Sequence, residues 1–405
     1  MPPEQGIEPP VICFPFVGDL VGGSHISAIG LIQKIDRRRY RPLVILQHEQ
    51  GELAGFFQRA GIQTECAPRS AELTHGRRLG GRDLIGIVRE VRSLAKFLRA
   101  RNVKIVHSND GRSAATWGLA ARLAGAKLVW HHRSDPNAFG LRFAAPFLAH
   151  RVVAVSRYAS PRPGLISAAH KCQVIHSPFS LDQTDRAEAR AALVAELGCS
   201  PDTRIIGFFG ALIPRKRPLL FVDAIAALRR RAPDLPVMGL LFGEPLDGAE
   251  EAVRERAAAA GVSGDIRQMG FRYPGQRWLA ACDLLMVPAI DEPFGRTLIE
   301  AMMLGTPVVA TASGGNIEAI EHGVTGLLVP PEDAGALADG CLAMLTDPAL
   351  AGVAATAKED ADRRYHADGH AAAVMQIYDE LLTDGAKAAP APSGGGSAAQ
   401  RCAPR

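Results

Sequence analysis

Short apolar runs alternate with amphipathic stretches along most of the 405-residue chain. In the first half the runs fall at 11–16, 42–47, 104–107, 127–130, 151–155 and 172–175. In the second half they fall at 204–210, 236–242, 265–269, 284–288, 307–312 and 326–330. Runs this short, apolar throughout and closed by Gly, Pro or polar residues, predict strands of a parallel sheet buried on both faces. Helical spacing lies between them at 26–35, 53–60, 83–100, 113–123, 218–230, 247–261, 297–304 and over much of 333–383. The alternation predicts an α/β architecture. The chain is longer than one core normally supports, so two domains are expected, 10–182 and 183–384, with the last helix a candidate to cross back to the first. Residues 1–9 and 385–405 are rich in Pro, Ala, Ser and Gly and are expected to be disordered. Residues 66–82 are rich in Gly and Arg, lack a period and read as a loop.

One stretch, 283–318, concentrates the chemistry. It reads as a strand, a polar loop, a short helix and a second strand closed by Ser313-Gly314-Gly315. Open parallel sheets bind ligands beyond the carboxyl ends of their strands. Free N–H groups around Gly295, Arg296 and Thr297 would suit an anion such as a diphosphate. Glu292 lies in the loop and Glu300 one turn into the helix, and carboxylates accept hydrogen bonds from adjacent hydroxyls. Flanking a phosphate site they suggest a sugar-bearing ligand, whereas the pair by itself reads as solvated surface glutamates.

The order Glu292-Pro293-Phe294-Gly295, Glu300-Ala301-Met302, Gly305-Thr306-Pro307-Val308-Val309 and Gly314-Gly315-x-x-Glu318 resembles retaining glycosyltransferases of the family-4 type. Those enzymes have the GT-B fold, two Rossmann-like parallel-sheet domains facing a central cleft. The resemblance implies that Glu300 holds the ribose of a nucleotide-sugar, that Glu292 lies beside the transferred sugar, and that the amides of the Phe294-Gly295 loop face the donor. It also puts Gly22-Gly23 in the cleft, and Gly210 and Lys216 at the donor phosphates. The family commonly has Arg where this chain has Ala211, so Arg215 or Arg217 is the candidate replacement. Phe271 falls where the base is commonly seated. The strand at 127–130 runs into His131-His132-Arg133; one histidine there could be a satisfied core residue, whereas the resemblance implies a catalytic histidine, His131 or His132, with Arg133 beside the donor. Adjacent residues at a strand end point in opposite directions, which argues against a two-histidine metal site.

Net charge is +4, but it divides into +11 over residues 1–185 and −7 over the remainder. A basic half facing an anionic membrane or a phosphorylated acceptor is one reading, and solvated helix faces are the other. No stacking aromatics are interleaved with the charges, so nucleic acid is not expected as a partner. Seven cysteines without Cys-x-x-Cys spacing predict reduced thiols. No secretory signal or membrane span is evident, which predicts a cytoplasmic protein, in peripheral contact with the inner face of the membrane where the basic half meets lipid. Asp360 and Asp362 sit on a helical stretch away from the other candidates, and no metal is expected. The expected function is therefore a metal-independent retaining glycosyltransferase, taking a nucleotide-diphosphate sugar as donor and a glycan or lipid-linked acceptor, as in polysaccharide, lipopolysaccharide or glycolipid assembly. A nucleotide-sugar epimerase or hydrolase, and a non-catalytic nucleotide-sugar-binding protein, are the alternatives.

Overall fold

The structure, a computed structural model, describes residues 8–68 and 81–387. Most of both expected disordered ends and most of the 66–82 loop lie outside the described residues, while residues 385–387 continue the last helix. Among the described residues two parallel sheets carry the fold. The first has seven strands, β1 (Val11–Pro15), β2 (Arg41–Leu46), β3 (Thr64–Cys66), β4 (Val103–Ser108), β5 (Lys127–His132), β6 (Arg151–Ala154) and β7 (Cys172–Val174), in the order β3-β2-β1-β4-β5-β6-β7. The second has six, β8 (Arg204–Phe209), β9 (Val237–Phe242), β10 (Ile266–Gly270), β11 (Leu284–Val287), β12 (Val308–Thr311) and β13 (Leu327–Val329), in the order β10-β9-β8-β11-β12-β13. Every pairing is parallel, as the continuous apolar runs require. Both orders reverse direction beside their first strand, between β1 and β4 and between β8 and β11. The crevice of a doubly wound sheet opens at that point.

Helix ends follow local chemistry. Asp110 accepts a hydrogen bond from the Ser113 amide at 2.7 Å to start Gly111–Ala124, which ends at Gly125 with φ +80°. Asp185 caps Arg186–Leu197, and Gly198 closes it with φ +64°. That helix opens the second domain, just after the expected boundary at 182–183. Strand β3, the segment 140–148 and helix Gly275–Ala281 also lay outside the predicted elements. β3 has three exposed residues and so no apolar signature.

On one face of the first sheet, Val91, Leu94, Trp117, Leu141 and Ala145 pack from the helices that follow β3, β4 and β5. The other face is covered by Gly23–Lys34, Glu52–Arg59 and the last helix, Ala367–Lys387. That last helix follows the second domain in sequence but buries Ala371, Val374, Ile377, Tyr378 and Leu381 in the core of the first. It is pinned by Lys34–Asp368 at 3.0 Å and Arg151–Glu380 at 3.5 Å. Truncating Ile377 to Ala should therefore destabilise the first domain by about 2–4 kcal/mol. Urea unfolding followed through Trp117 and Trp130 tests this, and an unchanged midpoint would contradict the packing.

A candidate active site between the two sheets

The loops after β5, β8 and β11 converge on a cavity of about 440 Å³ between the domains. It is lined by Arg133, Ser134 and Asp135 from the first domain and by Arg215, Arg217, Ile290, Asp291 and Pro293 from the second. The loop at 291–295 is fixed by backbone contact. The Gly315 amide donates to the Glu292 carbonyl at 2.6 Å. A Cβ on Gly314, whose φ is +57°, would stand 2.5 Å from that same carbonyl, and one on Gly315 would stand 2.7 Å from the Pro293 carbonyl. Glycine at both positions is thus a condition of the two loops lying together.

The Glu292 side chain is 10% exposed and accepts from Arg215 Nη1 at 2.6 Å and Lys216 Nζ at 2.8 Å. Burial alone would raise its pKa, but the two cations outweigh it and hold the carboxyl below its ordinary value. Lys216 passes over Gly210, where a Cβ would come within 3.3 Å of its Cε, and Gly210 itself has φ +137°. Arg217 also lines the cavity but is paired with Glu332 at 2.6 Å. Of the two candidate replacements for the missing arginine, Arg215 is the one that contacts Glu292.

Gly295, with φ +75°, precedes Arg296–Met303, so the amides of Arg296 and Thr297 open that helix without intrahelical partners. Arg296 crosses between the domains. It donates to Ser27 Oγ at 2.7 Å, meets Glu300 at 3.2 Å and lies over the Phe179 ring at 4.3 Å. A Cβ on Gly23 would sit 2.9 Å from Arg296 Cδ, and Gly22 is the residue before that helix begins. Burial pushes the Glu300 carboxyl up despite Arg296. Phe294 is buried in an aromatic cluster, stacked on His176 at 5.2 Å with Tyr365 at 5.7 Å, so the amides of its loop, not its ring, are left for a ligand. Phe271, beyond β10, is 72% exposed.

Neither histidine of the pair lines the cavity. His131 is buried, and its Nδ1 lies 3.1 Å from His107 Nε2 and 3.3 Å from Arg133 Nη2. His132 is also buried, with Nε2 2.9 Å from the Asp135 carbonyl. Arg133 is the member that reaches the cavity wall, and it also donates to Ser177 Oγ at 2.9 Å. Ser177, His107 and Tyr378 escaped the sequence reading because nothing local marks a residue whose partners lie far along the chain. Asp360 and Asp362 are engaged by Arg364 and Lys358 on their own helix.

Two further links close the domains. Glu318 accepts from the amides of Arg157 and Tyr158 at 2.8 and 2.7 Å, and Ser156 Oγ donates to the Pro293 carbonyl. Among the described residues no single helix is long and apolar enough to cross a membrane.

Two Rossmann-like domains joined in this way, with the cleft at their switch points, define a GT-B fold. Residues 203–347, most of the second domain, match the family described as Glycosyl transferases group 1. The chain is 35% identical over 228 residues to a D-inositol 3-phosphate glycosyltransferase of Streptomyces scabiei, covering 53% of this chain and 50% of that one. It is 34% identical over 203 residues to the lipopolysaccharide core biosynthesis mannosyltransferase LpsB of Rhizobium meliloti, covering 49% and 56%. The chain thus spans about half the length of the curated relatives it matches. Over the whole fold it superposes on Anabaena HepE, solved with UDP and glucose, with TM-score 0.74 and 25% identity, covering 92% and 99%. A Rickettsia africae glycosyltransferase shares the fold at TM-score 0.76 and 20% identity, covering 93% and 100%.

The two glutamates should titrate on opposite sides of the ordinary value of 4.5. Carboxyl-carbon NMR titration tests it, with Glu292 expected below and Glu300 above. Because the folded value of Glu292 is depressed, the stability it contributes is present above 4.5 and is lost as pH falls through the depressed value. Glu292→Gln should flatten that part of the acid-unfolding curve.

Proposed function

We propose that this protein is a retaining glycosyltransferase, moving a sugar from a nucleotide-diphosphate sugar to an acceptor hydroxyl in glycan or lipid-linked glycan assembly. The observation that carries the reading is the Glu292–Arg215–Lys216 cluster beside the free amides at Arg296 and Thr297, within a group 1 domain. One carboxylate there faces two cations, so the cluster retains positive charge for a diphosphate. Likeness to HepE, solved with UDP and glucose, supports a nucleotide-sugar donor, and the names of the curated relatives support a phosphorylated or lipopolysaccharide-type acceptor.

In the proposed reaction the donor diphosphate takes over Arg215 and Lys216 as partners, which releases Glu292 toward the sugar hydroxyls. Glu300 accepts from the ribose. The bond from the anomeric carbon to the diphosphate oxygen breaks while the acceptor oxygen attacks the same face. The acceptor proton passes to the departing diphosphate. Fixed amides and cations stabilise that charge as it develops. The same groups carry the leaving-group charge by themselves, so we propose transfer without a metal, on the cytoplasmic side of the membrane.

Glu300→Ala and Lys216→Ala should each lower transfer by about 100-fold or more with circular dichroism unchanged. Transfer measured with radiolabelled nucleotide-sugars decides it, and wild-type turnover in either variant would remove the reading. Added EDTA should leave the rate unchanged.

The basic half is further proposed to meet an anionic membrane. Phe139, Phe143 and Phe147 follow one another at four-residue spacing and are 67%, 53% and 62% exposed, with Arg142 lying over Phe143 at 5.3 Å. Residues 111–176 hold nine Lys and Arg and one acid, Asp135. Such a surface suits anionic headgroups with apolar side chains entering the acyl boundary. Co-sedimentation with phosphatidylglycerol vesicles at low salt should drop by about tenfold in Phe143→Glu. Equal binding to phosphatidylcholine, or none to either lipid, would count against it.

A further inference from the structure

Arg133 is unusual among the cleft cations because no carboxylate of the described residues pairs with it, Asp110 acting on it only from beyond ion-pair distance. Arg215 and Lys216 share Glu292, Arg217 has Glu332 and Arg296 has Glu300. Arg133 makes no ion pair among the described residues. Its partners are Ser177 Oγ and His131 Nδ1, and its Nε is buried without a partner. We infer that Arg133 holds a phosphate of the ligand, and that a chain of neutral partners beginning at Tyr378 on the returning helix orients it without neutralising it.

The hydrogen positions follow from one fixed point. A guanidinium only donates, so His131 Nδ1 must accept from Arg133 and carries no hydrogen. His107 Nε2, 3.1 Å from the same atom, must then be the donor. With its hydrogen on Nε2, His107 accepts at Nδ1, and the Tyr378 hydroxyl donates to it at 2.6 Å. The chain runs from Tyr378 to His107 to His131, where it meets Arg133. It requires both histidines to be neutral. Burial favours this strongly, as does the neighbouring Arg133 charge, and both rings are pulled well below their ordinary value. His370, stacked on His131 at 5.8 Å, donates from Nδ1 to the His176 carbonyl at 2.7 Å and is pulled down to about 3.

The choice of histidine has a physical consequence. A carboxylate in place of His131 would orient the guanidinium equally well but would form an ion pair and remove its charge from the cleft. A neutral imidazole orients it and leaves the charge for the ligand. Burial and Arg296 pull Arg133 down to about 9, which keeps it charged at neutral pH. His131, His107 and Tyr378 are therefore positioning residues, and the last helix reaches the cleft through them.

This inference rests on the cleft being the ligand site, and its test separates the two readings. Long-range proton–nitrogen spectra should find His131 and His107 neutral with hydrogen on Nε2 between pH 6 and 8, and hydrogen on His131 Nδ1 would overturn the chain. Tyr378→Phe should shift the His107 Nδ1 resonance, which loses its donor, while the hydrogen stays on Nε2. An unchanged His107 spectrum would remove Tyr378 from the chain. Calorimetry then identifies the phosphate. If Arg133 serves the donor, Arg133→Gln should weaken UDP binding by about tenfold. If it serves the acceptor, UDP binding should persist while inorganic phosphate no longer binds the UDP-loaded protein. Equal affinities for UDP and for phosphate in wild type and Arg133→Gln would overturn the inference. A wild-type protein that binds phosphate through Arg133 but not UDP would sink the transferase reading alone.

Discussion

Backbone contact between two loops is the constraint on which the site depends. Residues 291–294 and 313–316 lie so close that a side chain at Gly314 or Gly315 would collide with main-chain atoms of the facing loop. Backbone cannot move aside as the end of a flexible side chain can, so this contact sets the position of everything the first loop carries. Glu292 is turned toward Arg215 and Lys216, Phe294 into the aromatic cluster, and Gly295 to the start of the helix that bears Arg296 and Glu300.

The same loop joins the domains. Ser156 from the first domain donates to the Pro293 carbonyl, Tyr158 donates to Asp291 at 3.0 Å, and Phe294 stacks on His176. Arg296 extends the joint to Ser27 at the far wall. One short loop therefore both presents the candidate ligand groups and carries contacts between the domains.

Electrostatics shifts the two glutamates of the stretch in opposite directions. Glu292 has two cations within 2.8 Å, which hold its carboxyl below the ordinary value. Glu300 has one, at 3.2 Å, and burial outweighs it. Two carboxylates eight residues apart thus differ because one more cation reaches the first. Sequence spacing contains no term for that difference.

The strand runs were legible because a parallel strand buried on both faces is apolar at every position, a local property that survives in any tertiary setting. The glycine-rich turns and the Glu292–Glu300 stretch were legible for the same reason, since backbone conformation and helix ends are set within a few residues. Strand β3 was not, because its three exposed residues leave no apolar trace. Which of Arg215 and Arg217 meets Glu292 was also not legible, because neighbouring residues with the same charge differ only in direction. The return of Ala367–Lys387 to the first core, the seclusion of both histidines behind Arg133 and the link from Tyr378 were decided by packing between residues hundreds of positions apart. Local sequence determines which elements form and where charge is available. Only the assembled fold determines which charges meet a partner and which are left for a ligand, because Coulomb and hydrogen-bond energies depend on distances that folding sets.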